Sequence, residues 1–120
     1  MKPSLSDLAE RYNAFVEARD WNRFHTPQNL AMAISVEANE LLETFLWFDN
    51  PDSATVASDD ETMRAVEEEL ADVIIYALGL ANELDIDILA AVEAKLDEND
   101  ERFDPETSEA ITAELDKWQR

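Results

Sequence analysis

LAMAISVEANELLETFLWF at positions 30–48 and EELADVIIYALGLA at 68–81 each set two carboxylates three residues apart inside an otherwise apolar run. Residues at i and i+3 project from one face of a helix, so Glu37 and Glu40 form one pair and Glu69 and Asp72 another. Both segments are apolar enough to be buried. A buried carboxylate without a partner is costly, so such groups are normally paired with a base or bind a metal. Bases are scarce: between residues 65 and 116 only Lys95 and Arg102 occur. A hard divalent cation is the remaining partner for clustered carboxylate oxygens.

Other acids share this spacing without the apolar setting. Asp97/Asp100, Glu98/Glu101 and Glu106/Glu109 lie on polar faces and need no cation. Around Glu37 and Glu40 stand Ile34, Val36, Leu41 and Leu42, and Val73, Ile74 and Ile75 follow Asp72. On a helical wheel Glu69, Asp72 and Tyr76 fall within about 60° of one another at ~100° per residue. Antiparallel packing of the two runs would gather four carboxylates. The alternative places them at a bundle rim, half exposed.

The rest of the chain reads as helix. One glycine and four prolines in 120 residues leave few tight turns, and no β-type alternation persists. Five helices are expected: from about Ser4 to Ala18, opened by Ser4 and Asp7; from Thr26-Pro27 to about Phe48; from a Ser58…Glu61 cap to about Leu84; from about Ile88 to Arg102; and a short one from Asp104-Pro105 to about 118, with Ile111, Leu115 and Trp118 as its stripe. DNPDSATVAS, residues 49–58, reads as a polar loop. The fold class is all-α, a four-helix bundle core over about residues 4–103 with a C-terminal helix at about 105–118, in one domain spanning 1–120. The second and third helices are apolar on more than one side, which points to a homo-oligomer that buries the outer faces.

Composition narrows the function. With 29 acids against 9 bases the net charge is −20, which disfavours nucleic acid and anionic membranes as partners. There is no cysteine, so disulfides and thiolate metal sites are excluded. The N-terminus lacks the apolar core of a signal peptide, and the longest apolar run, Val73–Ala81, is too short to span a bilayer. A cytoplasmic protein is expected. A single histidine, His25, cannot supply the two Glu-x-x-His pairs of a di-iron bundle. Oxygen ligands therefore favour Mg²⁺, with Mn²⁺ as a substitute. No nucleophile triad or phosphate-binding glycine loop is present, since the sole glycine is Gly79.

Two further groups carry possible chemistry. Lys95, Asn99 and Arg102 share one helical face within the acidic stretch AKLDENDERF. Intrahelical pairing with acidic neighbours is one reading, and a clamp for phosphate is the other. Trp21, Phe24 and His25 cluster in the first connection, while Trp47 and Phe48 end the second run. Such aromatics serve either as core or as a cradle for a base.

RDWNRFHTPQNL, EANELLETFLW, EEELADVIIYALGLA and KLDENDERF occur in this order and cover most of residues 12–103. In these motifs the chain resembles the all-α nucleoside triphosphate pyrophosphohydrolases of the MazG-like group, and within it the short dCTP pyrophosphatase type. The family's ExxE and ExxD appear as Glu37–Glu40 and Glu69–Asp72. The resemblance implies Mg²⁺ bound by Glu37, Glu40, Glu69 and Asp72; by chemical argument, Glu37 or Glu40 is then the candidate general base. It implies phosphates held by Lys95, Asn99 and Arg102, from the same chain or a neighbouring subunit. Trp21, His25, Trp47 and Tyr76 would form the base and sugar pocket. The implied reaction converts a (deoxy)nucleoside triphosphate and water to monophosphate and pyrophosphate, as nucleotide-pool house-cleaning, in a dimer of dimers. Two features depart from the family's habit: Asn39 stands where glycine is common inside ExxE, and Asp100-Glu101 stand where bases are common. The alternatives are a non-catalytic acidic helical interaction protein, or a pyrophosphohydrolase of dUTP or phosphoribosyl-ATP.

Overall fold

The computed structural model describes residues 1–118, and among these the regular elements are all helical, with no strand. Its elements are α1 (Leu5–Ala18), a 3₁₀ turn (Asn22–Phe24), α2 (Pro27–Glu43), α3 (Ser53–Ala57), α4 (Asp60–Glu83), α5 (Ile88–Arg102) and α6 (Pro105–Asp116). No described helix is long and apolar enough to cross a membrane.

Local signals set most boundaries. At the start of α1 the Ser4 hydroxyl accepts the Asp7 amide at 3.1 Å while Asp7 accepts the Ser4 amide at 3.0 Å, so two orphan donors are satisfied reciprocally. Thr26 caps α2 by accepting the Asn29 amide at 3.2 Å, and Pro27 occupies the first turn, where its missing N–H costs nothing.

Three expectations need correction. The second helix stops at Glu43, not Phe48: the amides of Thr44, Phe45 and Leu46 reach back only three residues, and the Thr44 hydroxyl donates to the Leu41 carbonyl at 2.7 Å. The chain tightens there into 3₁₀-type turns. The segment 49–58 holds a short helix, α3, because Asp52 accepts the Thr55 amide at 2.8 Å and nucleates a turn. Ser58 closes that turn, donating to the Thr55 carbonyl at 2.8 Å, so the cap of α4 passes to Asp59. The described residues thus contain six α-helices where five were expected.

The chain divides into two compact units, one through Ile86 and one from Asp87 onward. In the first, α4 is the element against which α2, α1 and α3 pack. Its core is small: Val16 of α1, Leu30 of α2, and Leu78 and Ala81 of α4 are buried. Gly79 lies in the same patch because the Tyr12 ring comes against the helix backbone. A methyl built on Gly79 would sit 2.8 Å from Tyr12 Cε1 and 3.4 Å from Leu30 Cδ2. Gly79→Ala therefore gains about 1 kcal/mol of helix propensity and loses about 1–3 kcal/mol to overpacking. The expected net effect, a loss of about 1 kcal/mol, is read as a lower melting temperature.

Met32 and Val36 on α2, and Leu70 and Ile74 on α4, are exposed, which agrees with the expectation that these helices are apolar on more than one side. In the second unit, Asp104 caps α6 by accepting the Thr107 amide at 2.8 Å. α5 carries the exposed stripe Leu89, Val92 and Leu96. The stripe expected on the last helix is only partly helical, since Trp118 lies past its end.

Candidate metal centre

α2 and α4 form the main packing of the first unit, and acids from both helices converge. Ligand oxygens of Glu37, Glu40 and Glu69 all lie within 4.8 Å of one another. Asp72 is not in that set of three, although its charge reaches Glu37. The side chains are half-buried, between the buried setting their apolar neighbours suggest and the half-exposed rim of the alternative. Two individual oxygens are nevertheless sealed from solvent without a hydrogen-bond partner: Glu37 Oε2 and Glu69 Oε2.

The electrostatics follow from this crowding. As two carboxylates, Glu37 and Glu69 can only accept, so neither satisfies the other. A proton on Glu37 supplies the missing donor. The hydrogen bond to Glu69 is the chief reason its carboxyl is pushed up to about 7, with burial, Glu40 and Asp72 adding to it. For Glu69 that same bond works downward, yet burial, Glu40 and Asp72 outweigh it and the carboxyl is raised as well. Like charges sharing a site can be relieved by protonation or by a cation. Three convergent carboxylates with two orphaned oxygens fit a hard, oxygen-liganded divalent ion, and no cysteine or second histidine stands by to favour a softer one.

The aromatic residues divide. His25 is half-buried and held at both ring nitrogens: Nδ1 lies 2.8 Å from the Trp21 carbonyl and Nε2 lies 3.0 Å from the Tyr12 hydroxyl. Trp21 packs edge-on against Phe15 at 5.7 Å between ring centres, and Tyr12 stacks on Phe15 at 6.2 Å. Tyr76 follows Asp72 by one turn of α4 and is half-buried; burial and proximity to Tyr76 raise the Tyr12 phenol. Trp47, expected at a helix end, sits in the turns beyond α2 with 92% of its surface exposed.

In the second unit Lys95, Asn99 and Arg102 share a face of α5. Lys95 Nζ lies 3.4 Å from Glu98 in an exposed pair, and the Arg102 guanidinium lies 5.0 Å from the Phe103 ring centre. Intrahelical pairing therefore occupies Lys95, and an exposed pair of this kind is worth about 0–1 kcal/mol, little enough to be exchanged for another anion.

Sequence reading missed Tyr12. Its partner is 13 residues away across a turn, a contact that helical spacing does not signal.

The MazG-like family profile matches residues 32–116. The dCTP pyrophosphatase 1 of Rattus norvegicus is 36% identical over 102 residues, and that of Homo sapiens is 35% identical over 102. Each alignment takes in 85% of this chain and 60% of the relative, so the chain spans about 60% of the length of these relatives. A crystal structure of a pyrophosphatase from Archaeoglobus fulgidus superposes with a TM-score of 0.76 at 34% identity, covering 87% of this chain and 95% of that one. The acid pairs on α2 and α4 fall within the matched region, and the chain belongs to the MazG-like family.

Proposed function

We propose that this chain is a Mg²⁺-dependent nucleoside triphosphate pyrophosphohydrolase that hydrolyses deoxynucleoside triphosphates to monophosphate and pyrophosphate. The observation that carries the reading is the pair of sealed, unpartnered oxygens on Glu37 and Glu69 within a cluster of three carboxylates. The names of the relatives support the reaction class. Glu37, Glu40 and Glu69 would hold the cation, with Asp72 as fourth ligand; Mn²⁺ would substitute. When bound, the cation supplies Lewis acidity toward phosphoryl oxygens and lowers the pKa of water.

The chain's own groups do the rest. Glu37 or Glu40 accepts the proton of the attacking water as its oxygen bonds to the α-phosphorus. The bond between the α-phosphorus and the oxygen bridging to the β-phosphorus breaks, and pyrophosphate leaves with that oxygen and both bonding electrons. Lys95 and Arg102, from this chain or from a neighbouring subunit, neutralise phosphate charge, the first as a mobile point and the second as a planar fork, and Asn99 adds a neutral donor. Trp21, His25, Trp47 and Tyr76 receive base and sugar. A homotetramer is proposed to cover the exposed apolar residues of α2 and α4, and a cytoplasmic house-cleaning role suits a chain without cysteine.

The test is a panel of deoxy- and ribonucleoside triphosphates with Mg²⁺ in ¹⁸O-water, followed by product analysis. The expected products are pyrophosphate and a monophosphate that carries the label. Release of inorganic phosphate alone, or no product from any triphosphate, would refute the reading and leave an acidic helical binding protein.

A further inference from the structure

The histidine of this chain is anchored at both ring nitrogens, and one of the two anchors, Tyr12, has been given no role so far. Its Nδ1 faces a backbone carbonyl, that of Trp21 at 2.8 Å, so Nδ1 carries the proton. In the neutral ring Nε2 is then an acceptor, and the Tyr12 hydroxyl at 3.0 Å donates to it. Tyr12 is fixed in turn. Its ring lies against the Cα of Gly79, where even a methyl would meet Cε1 at 2.8 Å, and it stacks on Phe15 at 6.2 Å. Phe15 packs against Trp21, whose carbonyl closes the loop of contacts. A cavity of about 20 Å³ adjoins Tyr12, His25, Asn22 and Asn82, room for about one water.

We propose that Tyr12 is a positioning residue: its hydroxyl locks His25 in the Nδ1-protonated tautomer and orientation and so shapes the nucleoside end of the site. The inference rests on the proposed reading of His25 as part of the base and sugar pocket. Tyr12 itself touches no substrate in this account. Gly79 belongs to the same device, because only a residue without a side chain lets the phenol ring approach α4 closely enough to meet Nε2.

The experiment compares Tyr12→Phe, His25→Ala and the double variant with the wild type. Tyr12→Phe keeps the ring and removes only the donor. Its KM for a deoxynucleoside triphosphate is expected to rise about tenfold with kcat within about twofold, the scale of one lost hydrogen bond. In the His25→Ala background the same change should leave KM untouched, because Tyr12 acts only through the ring. A second readout needs no turnover. His25 is the single histidine, so its ¹⁵N side-chain resonances are unambiguous. They should report the Nδ1-protonated form in the wild type and a tautomer mixture in Tyr12→Phe. Unchanged KM in Tyr12→Phe, an equal effect with and without His25, or an unaltered tautomer would each overturn the proposal. A wild type that hydrolyses no triphosphate would sink the functional reading and the KM claim with it, while the resonance shift would still decide whether Tyr12 sets the tautomer.

Discussion

Glu69→Gln is expected to abolish turnover while raising the melting temperature of the cation-free protein. The two effects have one cause. Glu69 contributes an oxygen to the set of three carboxylates within 4.8 Å, and its Oε2 is sealed from solvent without a hydrogen-bond partner. Glutamine keeps the shape, removes one negative charge and brings an NH₂ that can donate to Glu37. The empty cluster is thereby relieved. With the cation the balance reverses, because a neutral amide is a poorer ligand and the charge stabilisation worth several kcal/mol is weakened. A loss of about 10³-fold in turnover is expected, since each 1.36 kcal/mol is tenfold. Glu40→Gln and Asp72→Asn should likewise lose activity and keep the fold. The measurements are initial rates at saturating Mg²⁺ and thermal melts in a chelator. Full activity, or a melting temperature that falls as for loss of a structural contact, would count against the cluster as a working centre.

The second large effect is a stability profile whose slope with pH depends on Mg²⁺. Glu37 is raised from its ordinary 4.5 to about 7, and Glu69 is raised too. A carboxyl raised on folding favours the protonated folded state. Its stabilisation is complete below about 4.5 and is lost as pH climbs through about 7. The cation-free protein should therefore melt at progressively lower temperature from about pH 5 to pH 7.5. The capping carboxylates Asp7, Asp52 and Asp104 are shifted downward by their hydrogen bonds, so their stabilisation is lost only in stronger acid, outside this window. Mg²⁺ requires deprotonated ligands, so its effect grows across the range where the free protein weakens. At about a hundredfold excess over Kd the gain is about 2.7 kcal/mol, or on the order of 10 °C for a chain of this length. Calorimetry at pH 5 and pH 8, with and without Mg²⁺, checks it. A Mg²⁺ response equal at both values would separate the ion from these carboxylates.

The central pairing could be read in the sequence because it is written at short range. An acid pair at i, i+3 inside an apolar run fixes its own face, and two such runs joined by a short segment pack together, as α2 and α4 do. The caps at Ser4 and Thr26 were equally local. What escaped was decided by competition between neighbouring bonds. Nothing in LETFLWF announces a stop at Glu43, since no glycine or proline intervenes; the end comes from Thr44 turning its hydroxyl back on the Leu41 carbonyl. Ser58 had cap chemistry but spent it on α3, which left Asp59 to open α4. Asp72 stands outside the set of three, a distinction within one helix that i, i+3 spacing does not resolve. Tyr12 and His25 meet across a turn, a contact no periodicity encodes.

The most direct measurement of the central claim is a titration of Mn²⁺ followed by electron paramagnetic resonance at pH 8. Mn²⁺ stands in for Mg²⁺ on oxygen ligands. The account predicts that added Mn²⁺ loses its free-ion signal in the wild type, that Mg²⁺ restores it by competition, and that Glu69→Gln weakens the binding at least about tenfold. A wild type that leaves millimolar Mn²⁺ free, or a Glu69→Gln variant that binds it as tightly as the wild type, would contradict it.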